Sequence, residues 1–361
     1  MDRSISRKTM RASATALVIA LIAAACGGAP PAATSAATAA PSAAPAAAGT
    51  ARPATPAPLV QATLSVSHPT GGAHLPLFYG RDKGIFAKYG LTMTLNPLGG
   101  GAPAMAALIS GQTQIADITG SEVVSATAAG ADLVVIGVLT PVYPYVLMSN
   151  TDIKTTADLK GKTIVIKAVG DATDIATRLS LQKLGLVPDV DVTILAVNVD
   201  NARLAVLVAK QACCTPGQPR DQIAMIKQGG FKVLYDLASL GLLNSQGALV
   251  LKRDFFDKNP QVVQQFMDAL IESIAAAKKD RPGALEVIKK QLDLKDDEIA
   301  IAEYDYFMGK VVPTYPYARP EMFNDAIKVL SETNSKVLTV VPAKFVNRSI
   351  VESSETRGIG K

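Results

Sequence analysis

From about residue 62 onward the chain switches repeatedly between two hydrophobic periods. Short runs such as "LSVSHP", "LTMTLNP", "TQIADIT" and "ADLVVIGVLT" are rich in alternating or continuous apolar positions, the mark of strands. Between them, "HLPLFYGRDKGIFAKYG", "APAMAALIS" and "SEVVSATAAG" carry apolar residues at helical spacing, the first closed by Gly90 and the last capped by Ser121. After "YVLMSN" and "TTADLKGKTIVI" the alternation resumes. "DATDIATRLSLQKLG", "NVDNARLAVLVAKQ" and "PRDQIAMIKQGG" predict helices, with "DVTILAV", "ACCT" and "FKVLYDL" as strands. Beyond "GALVLKRDFF" the pattern is almost wholly helical. Asn259 and Pro260 start one helix, and two more are predicted near 296–311 and 319–333. Strands alternating with helices imply an α/β protein with parallel-rich sheets covered on both faces. Two such series with a helical tail imply two lobes and a cleft.

Upstream of this body the pattern is absent. Gly27 to Pro58 is mostly alanine, proline and hydroxyl residues, which cannot build a core. Such a chain acts as a semi-rigid spacer of about 3.1 Å per residue. Before it, Arg3, Arg7, Lys8 and Arg11 precede a largely apolar run of 14 residues, Ala12 to Ala25. A bilayer span takes about 20 residues, so this run fits an export signal. Ala23-Ala24-Ala25 before Cys26 resembles a bacterial lipobox, with Ala23 where leucine is commonest. The resemblance implies that Cys26 becomes the lipid-bearing mature N-terminus. An ordinary signal with an incidental cysteine is the alternative.

Composition narrows the choice. The 361 residues carry a net charge of +5, but the leader holds four basic residues and one acid, leaving the mature chain near +2. No block of Lys or Arg points to nucleic acid. About 300 residues remain for one large or two ordinary domains. The remaining cysteines, Cys213 and Cys214, are adjacent. Neighbouring Cα atoms lie about 3.8 Å apart, below the usual disulfide range, so two buried thiols are expected.

Several motifs fail. "LKGKTIVI" lacks the first glycine of a phosphate loop, since Thr156 stands there, and it precedes a strand. His68 and His74 are the only histidines, with no carboxylate between them, so no zinc site is read. No cofactor is expected. Gly99-Gly100-Gly101, between a strand and a helix, is more informative. Glycines there let a ligand approach the backbone, and helix N-terminal N–H groups favour acceptors. A sharp turn alone would also use them.

"SHPTGGAHLPLFYGRDKGIFAKYGLTMTLNP" resembles the opening of nitrate/sulfonate/taurine-type solute-binding proteins of ABC importers, a family that also includes binders of thiamine pyrimidine precursors. Lys83, Gly84, Phe86, Gly90 and Leu91 fit its pattern. "ALISGQTQIADI", "TTADLKGKTIVI", "GGFKVLYDL" and "KRDFFDKNPQVVQQFMDAL" extend the resemblance in order from Leu64 to about Leu330. It implies a two-lobed periplasmic-binding-protein type II fold. The organisation would be a signal over 1–25, a tether over 26–61, lobe one over 62–148 and 248–361, and lobe two over 149–247.

The resemblance also implies cleft segments. These are Thr70, Gly71, Gly72, Ala73 and His74; Gly100, Gly101 and Ala102; Gly120 and Ser121; Tyr143 near the crossing; Asp171, Ala172 and Thr173; and Thr215 with Pro216. Ser121 and Asp171 could equally be helix caps, and Tyr143 a packing residue. The implied function is capture of a small solute, sulfonate-, taurine- or nitrate-like or pyrimidine-like, by a monomeric lipid-anchored extracytoplasmic protein. Its partners would be an ABC permease and ATPase. None of the cleft segments holds Arg or Lys, so an anion would depend on helix N-termini and hydroxyls. A cleft enzyme using His74 or the cysteines, or a ligand sensor, are the alternatives. A related eukaryotic pyrimidine-synthesis enzyme carries cysteines near the return crossing; this chain has "LNSQGALV" there.

Overall fold

The strands, in chain order, are β1 (Ala62–His68), β2 (Leu91–Pro97), β3 (Ile115–Ile118), β4 (Leu133–Val142), β5 (Val146–Asn150), β6 (Thr163–Ile166), β7 (Thr193–Ala196), β8 (Cys214–Gly217), β9 (Phe231–Asp236) and β10 (Leu243–Lys252). They appear in a computed structural model that describes residues 58–68, 71–198 and 200–361. The chain divides into Met1–Pro56 and Ala57–Lys361, and all described residues belong to the second unit. The leader, Cys26, most of the tether and Thr70 lie outside the described residues.

Among the described residues the strands form two five-stranded sheets, ordered β2-β1-β3-β10-β4 and β7-β6-β8-β5-β9. In the first, β1 pairs in parallel with β2 and β3, while β10 runs antiparallel between β3 and β4. In the second, β6 pairs in parallel with β7 and β8, and β5 runs antiparallel between β8 and β9. Each sheet therefore has four strands in one direction and a single reversed strand that arrives straight from the other sheet. This is the open-sheet, two-lobed periplasmic-binding-protein type II arrangement.

The crossings lie earlier than the expected limits of 148 and 247. β5 already pairs within the second sheet, and β10 within the first. The chain thus passes between lobes over residues 143–145 and 237–242. Each reversed strand carries only a short apolar run, Val146 to Met148 in β5 and Ala248 to Leu251 in β10, and nothing in such a run tells which sheet it will join.

Packing explains the helices. In Pro260–Lys279, Val263, Phe266, Met267, Leu270, Ile271 and Ile274 are buried at three- and four-residue spacing against one face of the first sheet. The Phe266 ring stacks on Phe86 with centroids 5.7 Å apart. The opposite face is covered by Leu108, Val123, Val124 and Phe323 from other helices. The second sheet is covered by Ile175 and Leu179 on one side and by Leu207 and Met225 on the other.

Several local expectations are corrected. The single helix over 74–90 is two, Leu75–Asp82 and Ile85–Lys88, because Gly84 takes φ 73° between them. A helix over Arg281–Leu292 was not expected; it starts where the Asp280 carboxylate accepts from Gly283 N at 3.0 Å. Ser349–Thr356 is a further helix, held by Ser354 and Arg357 on the buried Asp268 carboxylate. Cys213 and Cys214 are bridged as a vicinal disulfide, not two free thiols, and both are buried. The body also begins before residue 62, since Val60 N donates to Gln265 Oε1 at 3.0 Å and Val60 O accepts from Gln265 Nε2 at 2.9 Å.

Phe266→Ala would empty a fully enclosed site beneath the first sheet. It should cost about 3–5 kcal/mol of stability, read by chemical denaturation. A loss under about 1 kcal/mol would mean that the long helix carries little of the lobe-one core.

Candidate functional site

Open α/β sheets bind ligands beyond the carboxyl ends of their parallel strands. Here those ends belong to β1, β2, β3 and β4 in lobe one and to β6, β7, β8 and β9 in lobe two. The segments named from the sequence follow five of these eight strands, β1, β2, β3, β4 and β6, whereas Thr215 and Pro216 lie within β8 itself. The two lobes meet across these strand ends: a Cβ on Gly71 would lie 3.9 Å from Gln218 Oε1, and one on Gly170 would lie 3.8 Å from Leu330 Cδ2.

The first loop is built for contact with the other lobe. Gly72, Ala73 and His74 form a short 3-10 turn and are all buried. His74 Nδ1 lies 2.5 Å from Asp117 Oδ2, and both side chains are almost wholly enclosed. That imidazole therefore fastens the loop to β3. Its ring neighbours His68, with centroids 5.5 Å apart. Among the described residues no group of three or more His, Cys, Asp or Glu side chains is placed to hold a metal ion.

The second loop is open. A Cβ on Gly100 would meet nothing within 4 Å, but its φ of 145° restricts the position to glycine. Ala102 is exposed at the start of Gly101–Ser110. A Cβ on Gly101 would overlap the Glu122 carboxylate. Gly120 is buried with its Cα against Ser245. Ser121 does not cap its helix; Thr119 takes the N-cap position, and its hydroxyl meets Ser121 Oγ at 2.7 Å and the Glu122 carboxylate.

At the crossing two tyrosines, Tyr143 and Tyr145, are both buried in the lobe-two core cluster. The cluster also holds Leu147, Leu159 and Val329, and burial and Asp325 raise the Tyr143 phenol pKa. Burial raises the Tyr145 phenol first, and Asp171, Asp221 and Glu122 then add to the shift. Its hydroxyl lies 3.4 Å from Gln246 Oε1 of β10.

Lobe two supplies two further segments. Asp171 caps Ala172–Lys183, accepting from Thr173 N at 2.9 Å, Asp174 N at 3.0 Å and Thr173 Oγ1 at 2.6 Å. The Thr173 hydroxyl also accepts from Lys167 N at 3.0 Å. Thr215 is buried and donates to Val165 O at 2.8 Å. Thr215 and Pro216 line a small pocket of about 160 Å³ with Arg203, Leu204 and Asp221. Cys213 lies at the opposite, amino end of the central strand β8, beside Asn150, Gly161 and Lys210.

Glu303 was not anticipated. Its side chain is fully enclosed, with Oε2 accepting from Gly72 N at 3.1 Å and Oε1 from Arg220 N at 3.1 Å. One carboxyl thus joins the first loop of lobe one to the opening turn of Pro219–Gln228 in lobe two. Burial pushes its pKa up and Asp221 adds to this, while Arg220 and the two N–H donors oppose it. The sequence held no signal for it, because its partners lie 231 and 83 residues away. Asp221 was more accessible to inspection. Gln218-x-x-Asp221 is a reciprocal capping box at a strand-to-helix turn.

Glu303→Gln would set an amide N–H₂ against one of the two backbone donors. The cost should be about 1–3 kcal/mol. A raised acid pKa means that the folded chain holds the proton more tightly than the unfolded chain. The Glu303 contribution is therefore full below the ordinary glutamate value of 4.5 and declines as pH rises through the elevated one. The melting-temperature gap between wild type and Glu303→Gln should narrow across that window. A gap that widens with pH would show the carboxyl to be held below its ordinary value.

Comparison with known proteins agrees with this architecture. The sulfonate-binding protein SsuA of Escherichia coli superposes with a TM-score of 0.66 at 20% identity, over 79% of this chain and 92% of its own. The alkanesulfonate-binding SsuA of Xanthomonas axonopodis pv. citri, bound to MOPS, gives 0.62 at 20% identity, over 80% and 99%. The nitrate-binding NrtA of Synechocystis PCC 6803 gives 0.60 at 12% identity, over 82% and 89%. These likenesses carry the fold. No curated protein matches the chain. The family model described as NMT1/THI5 like matches residues 72–284, from the first cleft loop into the helical tail and over more than half of the sequence, and the chain is therefore a member of the NMT1/THI5-like family.

Proposed function

We propose that this protein is an extracytoplasmic solute-binding protein that captures a small solute between its lobes and delivers it to an ABC permease driven by an ATPase. The observation that carries this reading is the cleft itself, formed where the strand ends of two sheets face each other across a double crossing. Closure of such lobes buries a ligand, and a partner can read the closed state. Family membership and the sulfonate- and nitrate-binding neighbours of the same fold support it.

Catalysis has little support in the side chains. His74 Nδ1 is taken up by Asp117, and Cys213 and Cys214 are bridged and buried away from the cleft edge. We read the loops following β1, β2, β3 and β6, together with the end of β8 at Thr215 and Pro216, as the ligand site. Cys26 is proposed as the lipid-bearing residue, with the Ala/Pro segment as its tether and the monomer as the working unit.

A thermal-shift screen of small solutes, followed by calorimetry, tests the binding reading. A true ligand should raise the melting temperature and contract the molecule in small-angle scattering. If no solute in a broad metabolite panel alters stability, the reading fails. For the anchor, Cys26→Ser should abolish incorporation of labelled palmitate; retained label would remove the lipoprotein proposal. Removing residues 27–57 should leave the melting temperature unchanged, whereas extending the deletion through Val60 should lower it by removing the Gln265 bonds.

A further inference from the structure

The chain has two histidines, and one of them sits at the seam between the lobes. His74 Nδ1 is taken by Asp117 Oδ2 at 2.5 Å, while Nε2 bonds none of the described residues. The His74 side chain is only 6% exposed. Its Cδ2, the ring carbon bonded to Nε2, borders the gap between the lobes. A Cβ on Gly71 would lie 3.9 Å from that carbon and 3.9 Å from Gln218 Oε1 of lobe two. Apart from the chain neighbours of Gly71, no other atom would lie within 4 Å of it. The gap therefore has room for a substituent, with an imidazole edge on one side and an amide on the other.

Asp117 decides what that imidazole edge can offer. Its carboxyl is wholly enclosed, and Oδ1 has no partner among the described residues. The bond to His74 is its compensation, and a net charge buried on the pair is strongly unfavourable. The uncharged pair shares one proton between Nδ1 and Oδ2. If that proton sits on Nδ1, the ring is an imidazolium beside a carboxylate, and Nε2 carries a hydrogen. If it sits on Oδ2, the neutral ring keeps its hydrogen on Nε2. Both arrangements present a donor to the gap. Only a pair with a buried negative charge would present a bare nitrogen there. Two helices at the cleft, Gly101–Ser110 and Gly120–Ala128, also begin without a side-chain cap, which suits an acceptor in the same space.

We propose that His74 is the specificity-setting contact of the cleft: its Nε2–H donates to an acceptor oxygen of the solute, and Asp117 keeps that hydrogen in place from behind. This rests on the solute-binding reading and names the chemistry of the end that enters beside Gly71. A carboxylate, a sulfonate or a carbonyl group would satisfy the donor. An ammonium or guanidinium would set hydrogen against hydrogen and leave the buried donor unpaired.

Nitrogen NMR on the chain with isotopically labelled histidine tests this directly. Two imidazoles give two sets of ring signals, and removing either one assigns the other. Without solute, His74 Nε2 should carry its hydrogen at neutral pH. A bare Nε2 overturns the proposal and leaves solute binding standing. Acetate, methanesulfonate and acetamide are then compared with methylammonium and guanidinium at constant ionic strength. At least one of the three acceptors should shift the Nε2–H signal, and neither cation should. The three acceptors separate a carboxylate, a sulfonate and a neutral carbonyl as the preferred group. If no acceptor moves that signal, or a cation does, the proposal fails. His74→Phe combined with Asp117→Leu removes both partners together, so no buried carboxyl is left unpaired. In that variant the affinity of the responding acceptor should fall about tenfold. An unchanged affinity in the folded variant overturns the proposal; if the variant does not fold, the wild-type spectra decide alone.

Discussion

A carboxyl enclosed on all sides must find donors, and Glu303 finds its two in different lobes. The cost of burying such a group is several kcal/mol unless it is hydrogen-bonded. The donors it needs are a loop N–H after β1 and an N–H in the first turn after β8. These can be presented together only when the two sheets bring their strand ends to the same place. The double crossing achieves this, because each lobe receives its reversed strand directly from the other. Gly72 completes the fit: a Cβ there would overlap Glu303 Oε2 and lie 2.8 Å from Phe307 Cδ2.

Other contacts across the lobes are arranged on two sides of the crossing. Lys310 and Tyr306 reach Asp236, and Lys227 reaches Asp296 and Glu298. Helix Asn324–Ser331 sends Lys328 to Gln182 at 3.3 Å, and Val329 joins the lobe-two core. These polar pairs are mostly exposed and contribute little individually. Glu303 is the enclosed one among them, so it sets the register in which the others form.

Much of this architecture was legible from hydrophobic period alone. β1 to β4 and β6 to β9 alternate with helices because the inner strands β3, β6 and β8 are buried on both faces, while the edge strands β2 and β7 leave residues exposed. The type II arrangement followed from the ordered motifs between Leu64 and Leu330. Sheet membership of β5 and β10 was not legible, since their short apolar runs look the same in either lobe. Neither was the break at Gly84, where a single left-handed residue divides an otherwise helical pattern. In the cleft, the small-residue loops could be named because resemblance marks them. Glu303 could not, since its two partners lie in different lobes, 231 and 83 residues away. The local bonds of Asp171 were readable as a helix cap, but the cap also removes the donors that made the loop look like an anion site.

The bond pair between Val60 and Gln265 has a mechanical consequence. Chain entering from the N-terminal side is clamped to Pro260–Lys279, the most deeply packed helix of lobe one. The last residues reach the same helix through Arg357 and Asp268. A pull on the N-terminal side is therefore delivered into the lobe-one core, by way of a helix whose Phe266 and Ile274 are wholly enclosed. The chain itself enters lobe two only through residues 143–145 and 237–242, so load passes to that lobe by those two crossings and by the contacts of Glu303, Lys310 and Lys227. Lobe one is the stator of this molecule, and any turning of lobe two on its crossings must first release the Glu303 bond to Arg220 and the surface pairs beside it, while the attachment point stays with lobe one.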